Sequence, residues 1–228
     1  MTKKQDGAGR KLFEKEGVMI HEVFPVGPLQ CNCSIVGDIT SGEAIVVDPG
    51  GDLVKIRSLL EHHSLRCSQI VVTHAHLDHI AGARRLSQMT GAPVFYNQLD
   101  LPLLDLMEQQ AEWIGVATPE VAPPHASAEE GMKIAAGTIL GQVMHTPGHT
   151  EGSICLYFAD QALLLAGDTL FKNAIGRTDL PGGDPRKMME SLRERIARLP
   201  EATRVIPGHG EETTLAAELE TNPFLSFQ

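Results

Sequence analysis

A short apolar strand, Gln69–Thr73, runs straight into His74-Ala-His76-Leu-Asp78-His79. Four side chains of metal-ligand type in six positions cost stability if they bind nothing. The string therefore calls for a fold that ends a buried strand at a metal site and brings further ligands there. In an extended segment His74 and His76 point the same way, as two ligands of one ion require. Asp78 and His79 follow where the chain turns into a helix, and they can face a second point close by.

Three other loops place similar residues just after an apolar strand. His149 follows Ile139–His145, Asp168 follows Ala162–Ala166, and His209 follows Arg204–Ile206. Strand ends at one sheet edge lie near each other, so five His and two Asp can converge. Each of the three alone reads as an ordinary loop or cap residue; the His74–His79 string tips the reading toward a metal site. One ion takes three or four protein ligands. Seven suit two divalent ions with one carboxylate shared, and Asp168, alone in its loop, is the natural shared ligand. Imidazole and carboxylate favour zinc, with iron or manganese as alternatives.

The remaining pattern sets the architecture. Strands are expected at Val18–Val26, Cys33–Val36, Ala44–Val47, Pro93–Tyr96 and Ser153–Phe158, besides those above. Helices are expected after Asp52 (Leu53, Ile56, Leu59, Leu60) and after the string (Ile80, Ala83, Leu86). A third spans Leu101–Trp113. A fourth is opened by Asp184-Pro185 and carries Met188, Leu192, Ile196 and Leu199, and a last covers Glu211–Leu219. Both halves repeat strands, helix, then a strand delivering His to a loop. That order implies an α/β sandwich: two sheets packed face to face, with helices on the outer faces. Residues 1–17 read as a polar tail and 18–228 as the domain. The stretch 99–131 breaks the pattern, as an insertion beside a substrate site or a crossover that packs on the core.

At 228 residues and 42% hydrophobic, the chain can bury a sizeable core. A net charge of −10 lacks the basic footprint of a nucleic-acid binder. No run approaches the roughly 20 apolar residues of a membrane span. Residues 1–17 contain no apolar core of a secretion signal, and the four cysteines read as reduced thiols of a cytoplasmic protein.

Thr73-His-Ala-His-Leu-Asp-His79, Thr146-Pro-Gly-His149, Gly167-Asp168 and Pro207-Gly-His209-Gly resemble the motifs of the metallo-β-lactamase superfamily of αβ/βα sandwich hydrolases. The resemblance spans about residues 18–220. Ile175-Gly-Arg-Thr-Asp-Leu-Pro-Gly-Gly-Asp184, with Thr169-Leu-Phe171, is similar to the glyoxalase II-like branch, the hydroxyacylglutathione hydrolases, in its short single-domain form. Only 19 residues follow His209, so the C-terminal helical domain of longer members is expected to be absent. The resemblance implies one ion on His74, His76 and His149, a second on Asp78, His79 and His209, and Asp168 shared. It further implies a small-molecule thioester substrate, glutathione-based, cleaved by hydroxide from a water held between the ions. Asp78 would orient that hydroxide or take its proton.

Arg177 matches by position a basic substrate-binding residue of glyoxalase II and is a candidate anchor for a substrate carboxylate. Its structural alternative is an ion pair with Asp179 or Asp184. Persulfide dioxygenases resemble the chain as well, through Gly176–Asp179. They hold a single iron with two His and one Asp and consume O₂, whereas the Pro-Gly-His209-Gly loop looks hydrolytic. Asp48 is either a partner of a ligating imidazole or a plain turn residue. Cys31 and Cys33 read as ordinary thiols, and His62, His63 and His125 as solvated. His145 reads as structural and Trp113 as packing of the insertion.

Overall fold

A computed structural model describes residues 18–225; the expected tail at 1–17 lies outside them. The first sheet contains β1 (Met19–Val26), β2 (Cys31–Asp38), β3 (Glu43–Val47), β4 (Arg66–Val71), β5 (Val94–Tyr96) and β6 (Ala126–Ser127), in that spatial order. β1, β2 and β3 are antiparallel neighbours, and β3 to β6 run parallel. The second sheet begins with β7 (Lys133–Ala136), β8 (Ile139–His145), β9 (Ile154–Phe158) and β10 (Leu163–Gly167). After a small ribbon of β11 (Leu170–Phe171) and β12 (Ala174–Ile175), β13 (Arg204–Pro207) and β14 (Thr213–Thr214) complete it. Its order is β14-β13-β10-β9-β8-β7.

The two-residue period of a strand explains the layers. In β3, Ile45 and Val47 face the second sheet, where Val143, Leu156, Leu163 and Ile206 meet them. The alternate residues Ala44 and Val46 face outward, onto Ile56 and Leu60 of α1 (Leu53–His62). In β10, Leu163 and Leu165 point inward. Leu164 and Ala166 point out onto Met188 and Leu192 of α6 (Pro185–Glu194) and Leu215 of α7 (Leu215–Thr221). Helix, sheet, sheet, helix is the layering the sequence implies. No described helix is long and apolar enough to cross a membrane.

Asp184 caps α6 as expected, its Oδ1 accepting from Arg186 N at 2.8 Å and Lys187 N at 3.2 Å. The helix expected after the string is instead α2 (Leu77–Ile80) and α3 (Ala83–Thr90). Gly82 separates them because its N–H turns to Pro49 O at 2.9 Å, an approach that a Cβ, 2.3 Å from that oxygen, would block. The helix expected over Leu101–Trp113 is likewise two pieces, α4 (Leu101–Leu104) and α5 (Met107–Ile114). Leu106 N closes a tighter turn onto Leu103 O at 3.2 Å, and Gln110 Nε2 donates to the same carbonyl at 3.2 Å. The last helix starts later than Glu211, since Thr213 and Thr214 first pair with Val205 and Arg204.

Candidate metal centre

The loops after β4, β8, β10 and β13 meet at one end of the sandwich. All seven expected ligands, His74, His76, Asp78, His79, His149, Asp168 and His209, come together there. His76 Nδ1 lies 2.9 Å from His149 Nε2. His74, His76 and His149 each offer an atom within 4.8 Å of the others, and so do His74, His79 and Asp168. On the other side His209 Nε2 is 3.0 Å from Asp78 Oδ2 and 3.3 Å from His79 Nε2. Asp168 stands between the two groups, with Oδ1 3.5 Å from His79 Nε2 and Oδ2 3.5 Å from His149 Nε2.

The rings are aimed from behind, as ligating imidazoles are. His149 Nδ1 donates to Arg177 O at 2.7 Å, and His209 Nδ1 to Leu29 O at 3.2 Å. His79 Nδ1 is 3.0 Å from Asp48 Oδ2. Asp48, at φ 52 just past β3, also accepts Thr73 N at 2.7 Å and Thr73 Oγ1 at 2.8 Å. Of the two readings of Asp48, the partner of an imidazole is therefore the one realised. Gly208 lets the His209 loop close: a Cβ there would lie 2.1 Å from Asp168 Oδ1.

The charge pattern suits cations. Burial pushes His74 far below its ordinary pKa and His76 down to about 3, so both rings are neutral and keep a lone pair for an ion. Burial also lowers His149, partly offset by Asp168. For Asp78 burial alone would raise the pKa, but His79 and His209 beside it hold the carboxyl well below the usual range. His74 Nε2 and Asp168 Oδ1 are buried and make no hydrogen bond. Buried polar atoms are seldom left so, and a divalent cation held by the cluster would satisfy both. The donor set fits the metal that the motifs imply.

Asp100 was missed by sequence reasoning. Buried beside α4, it accepts Ala75 N at 2.9 Å, Gly152 N at 2.6 Å and Thr150 Oγ1 at 2.9 Å. One carboxylate thus ties the His74–His79 loop to the His149 loop. Burial raises its pKa although the three donors oppose that.

Other expectations fare variously. The Arg177 guanidinium forks onto Asp179 at 2.7 and 2.8 Å and is 61% exposed, so the ion-pair alternative is formed, while the residue still lies on the rim of the cleft. All four cysteines are buried and free. Cys31 Sγ sits behind His79, 3.5 Å from Nδ1, and burial pushes its thiol up to about 12. His62 is exposed as expected, but His63 is half-buried against Glu22 at 2.7 Å. His125 is exposed, with Nδ1 accepting Val94 N at 2.9 Å. His145 is structural, Nε2 donating to Glu151 O at 2.9 Å. Trp113 is not buried packing: it is 58% exposed and lines the cleft over the centre.

The metallo-beta-lactamase superfamily model matches residues 26–209. Hydroxyacylglutathione hydrolase GloC of Haemophilus influenzae is 33% identical over 90% of this chain and 97% of its own. Among solved structures, TTHA1623 in a di-iron-bound form is 38% identical with a TM-score of 0.80, covering 90% of this chain and 100% of that one. The B3 metallo-beta-lactamase BLEG-1 is 33% identical with a TM-score of 0.84, covering 91% and 100%.

Proposed function

The chain belongs to the metallo-beta-lactamase superfamily, and on that footing we propose that it hydrolyses a thioester of the hydroxyacylglutathione type at a centre of two divalent ions. The observation that carries the proposal is the placement of Asp168, one oxygen toward His79 and the other toward His149. His74, His76 and His149 would hold one ion, Asp78, His79 and His209 the other, with Asp168 shared. Zinc is the metal proposed, and the di-iron form of TTHA1623 keeps iron as the alternative. Bound there, such ions supply acidified water and positive charge for a developing oxyanion.

The protein's own groups have separate tasks. Asp78, held ionised beside His79 and His209, would orient the attacking water or take its proton. Asp48, Leu29 O and Arg177 O fix the tilt of three imidazoles. Arg177, on the rim, is the proposed anchor for a substrate carboxylate, exchanging Asp179 for it. GloC supports a glutathione thioester, and the buried reduced thiols suit a cytoplasmic setting. The competing mononuclear dioxygenase needs two His and one Asp only, and would leave the other four side chains without a task.

The test is thiol release from a glutathione thioester by zinc-loaded protein. Hydrolysis that stops on chelation and returns with zinc supports the proposal. O₂ consumption with a persulfide, and no thioester cleavage, would replace it.

A further inference from the structure

The cleft over the centre has about 270 Å³ and two unlike sides. One side is the cluster itself, reached through His76, Asp78, His149, Asp168 and His209. The cleft is also lined by Leu103, Leu106, Trp113 and Ile114 from the α4–α5 segment, and by Leu29 and Leu180. Among the described residues, the side chains that line the cleft outside the cluster are apolar except for Gln110, Arg177 and the indole N–H of Trp113. Gln110 accepts Leu77 N at 2.9 Å and donates to Leu103 O at 3.2 Å; Arg177 is forked onto Asp179. Trp113 nevertheless keeps 58% of its surface exposed and Leu29 47%.

Resting on the thioester reading above, we propose that this wall is a subsite for the acyl group, holding its carbon chain by apolar contact. The wall is continuous with the cluster, so a carbonyl at the ions leaves its acyl chain on the leucines and the indole. A carbon chain laid there takes apolar surface out of water. The volume lies below the roughly 300–1,000 Å³ of drug-sized sites, so the chain is short. The α4–α5 segment, within the stretch expected as an insertion, then gives the centre its specificity.

Trp113 is the sole tryptophan, so its emission reports occupancy of the wall without any hydrolysis. The probes are S-methyl- and S-hexyl-N-acetylcysteamine, non-hydrolysable thioethers of one small neutral thiol, titrated into zinc-loaded protein. Each methylene fully buried tightens binding about fourfold. The hexyl probe is therefore expected to shift Trp113 emission with a Kd at least tenfold lower than the methyl probe. A Leu106→Ser, Ile114→Ser variant of unchanged zinc content should lose that preference. Equal Kd values, or no response of Trp113 to the hexyl probe, would overturn the subsite. Tight hexyl binding with no cleavage of hexanoyl thioesters would leave the subsite standing and sink the hydrolase reading.

Discussion

The carbonyl oxygen of Arg177 accepts the Nδ1–H of His149 at 2.7 Å. Arg177 thus supports the centre through its backbone, while its guanidinium lies outside on Asp179. A side-chain substitution can separate the two roles.

Arg177→Ala keeps the carbonyl, so metal content is expected to stay unchanged. If the guanidinium exchanges Asp179 for a substrate carboxylate, the contact persists into the transition state and acts on KM alone. Because the group is exposed, the rise in KM for a glutathione thioester should be about tenfold, with kcat little altered. An unchanged KM with a lower melting temperature would make Arg177 a structural partner of Asp179 only.

Asp168 faces both ligand groups, whereas His209 lies only on the side of Asp78 and His79. Asp168→Ala should therefore cost more bound metal than His209→Ala in elemental analysis of the two variants. Equal losses of a single equivalent would count against bridging.

Asp100→Asn leaves the N–H of Ala75 or of Gly152 without its acceptor. An unsatisfied buried donor costs about 1–3 kcal/mol, or a fall in Tm of about 2–12 °C for a domain this size. Because both His loops hang on this carboxylate, metal affinity should fall with it. Calorimetry beside a metal titration checks the pair of effects; a variant unchanged in both would show that the loops hold themselves.

Asp38 gives a pH test away from the centre. At the end of β2 its carboxylate accepts Thr40 N at 2.8 Å, and Thr138 N at 2.9 Å and Oγ1 at 3.0 Å from the β7–β8 turn, so it joins the two sheets. Burial alone would raise its pKa, yet these hydrogen bonds hold it below the ordinary value. A depressed carboxyl stabilises the fold fully above the unfolded pKa of about 3.9 and loses that contribution as pH falls through the folded value. Asp38→Asn should lower Tm by about 2–6 °C at pH 7, and the gap to the wild type should narrow at about pH 3. A gap that is constant from pH 7 to pH 3 would mean that the charge does not matter.

The clustering of the seven side chains is legible because each sits beside a local signal, the end of an apolar strand. The layers were legible because a strand such as β3 alternates its two faces residue by residue. Asp100 left no such mark. It acts 25 residues from Ala75 and 52 from Gly152, and a single Asp between leucines says nothing of either. The break at Gly82 is also tertiary, set by Pro49 O, whereas the one at Leu106 is a local turn onto Leu103 O that hydropathy periodicity does not reveal. The exposure of Trp113 is illegible for a related reason: periodicity does not tell which side of a short helix faces a cleft. His63 carries no local sign of Glu22, its partner 41 residues away.

Metal content of fully loaded, active protein tests the dinuclear thioesterase most directly. The expected result is about two equivalents of zinc per chain, with thioester hydrolysis tracking occupancy. A single equivalent of iron in active protein, with O₂ consumed and no thioester cleaved, would contradict it.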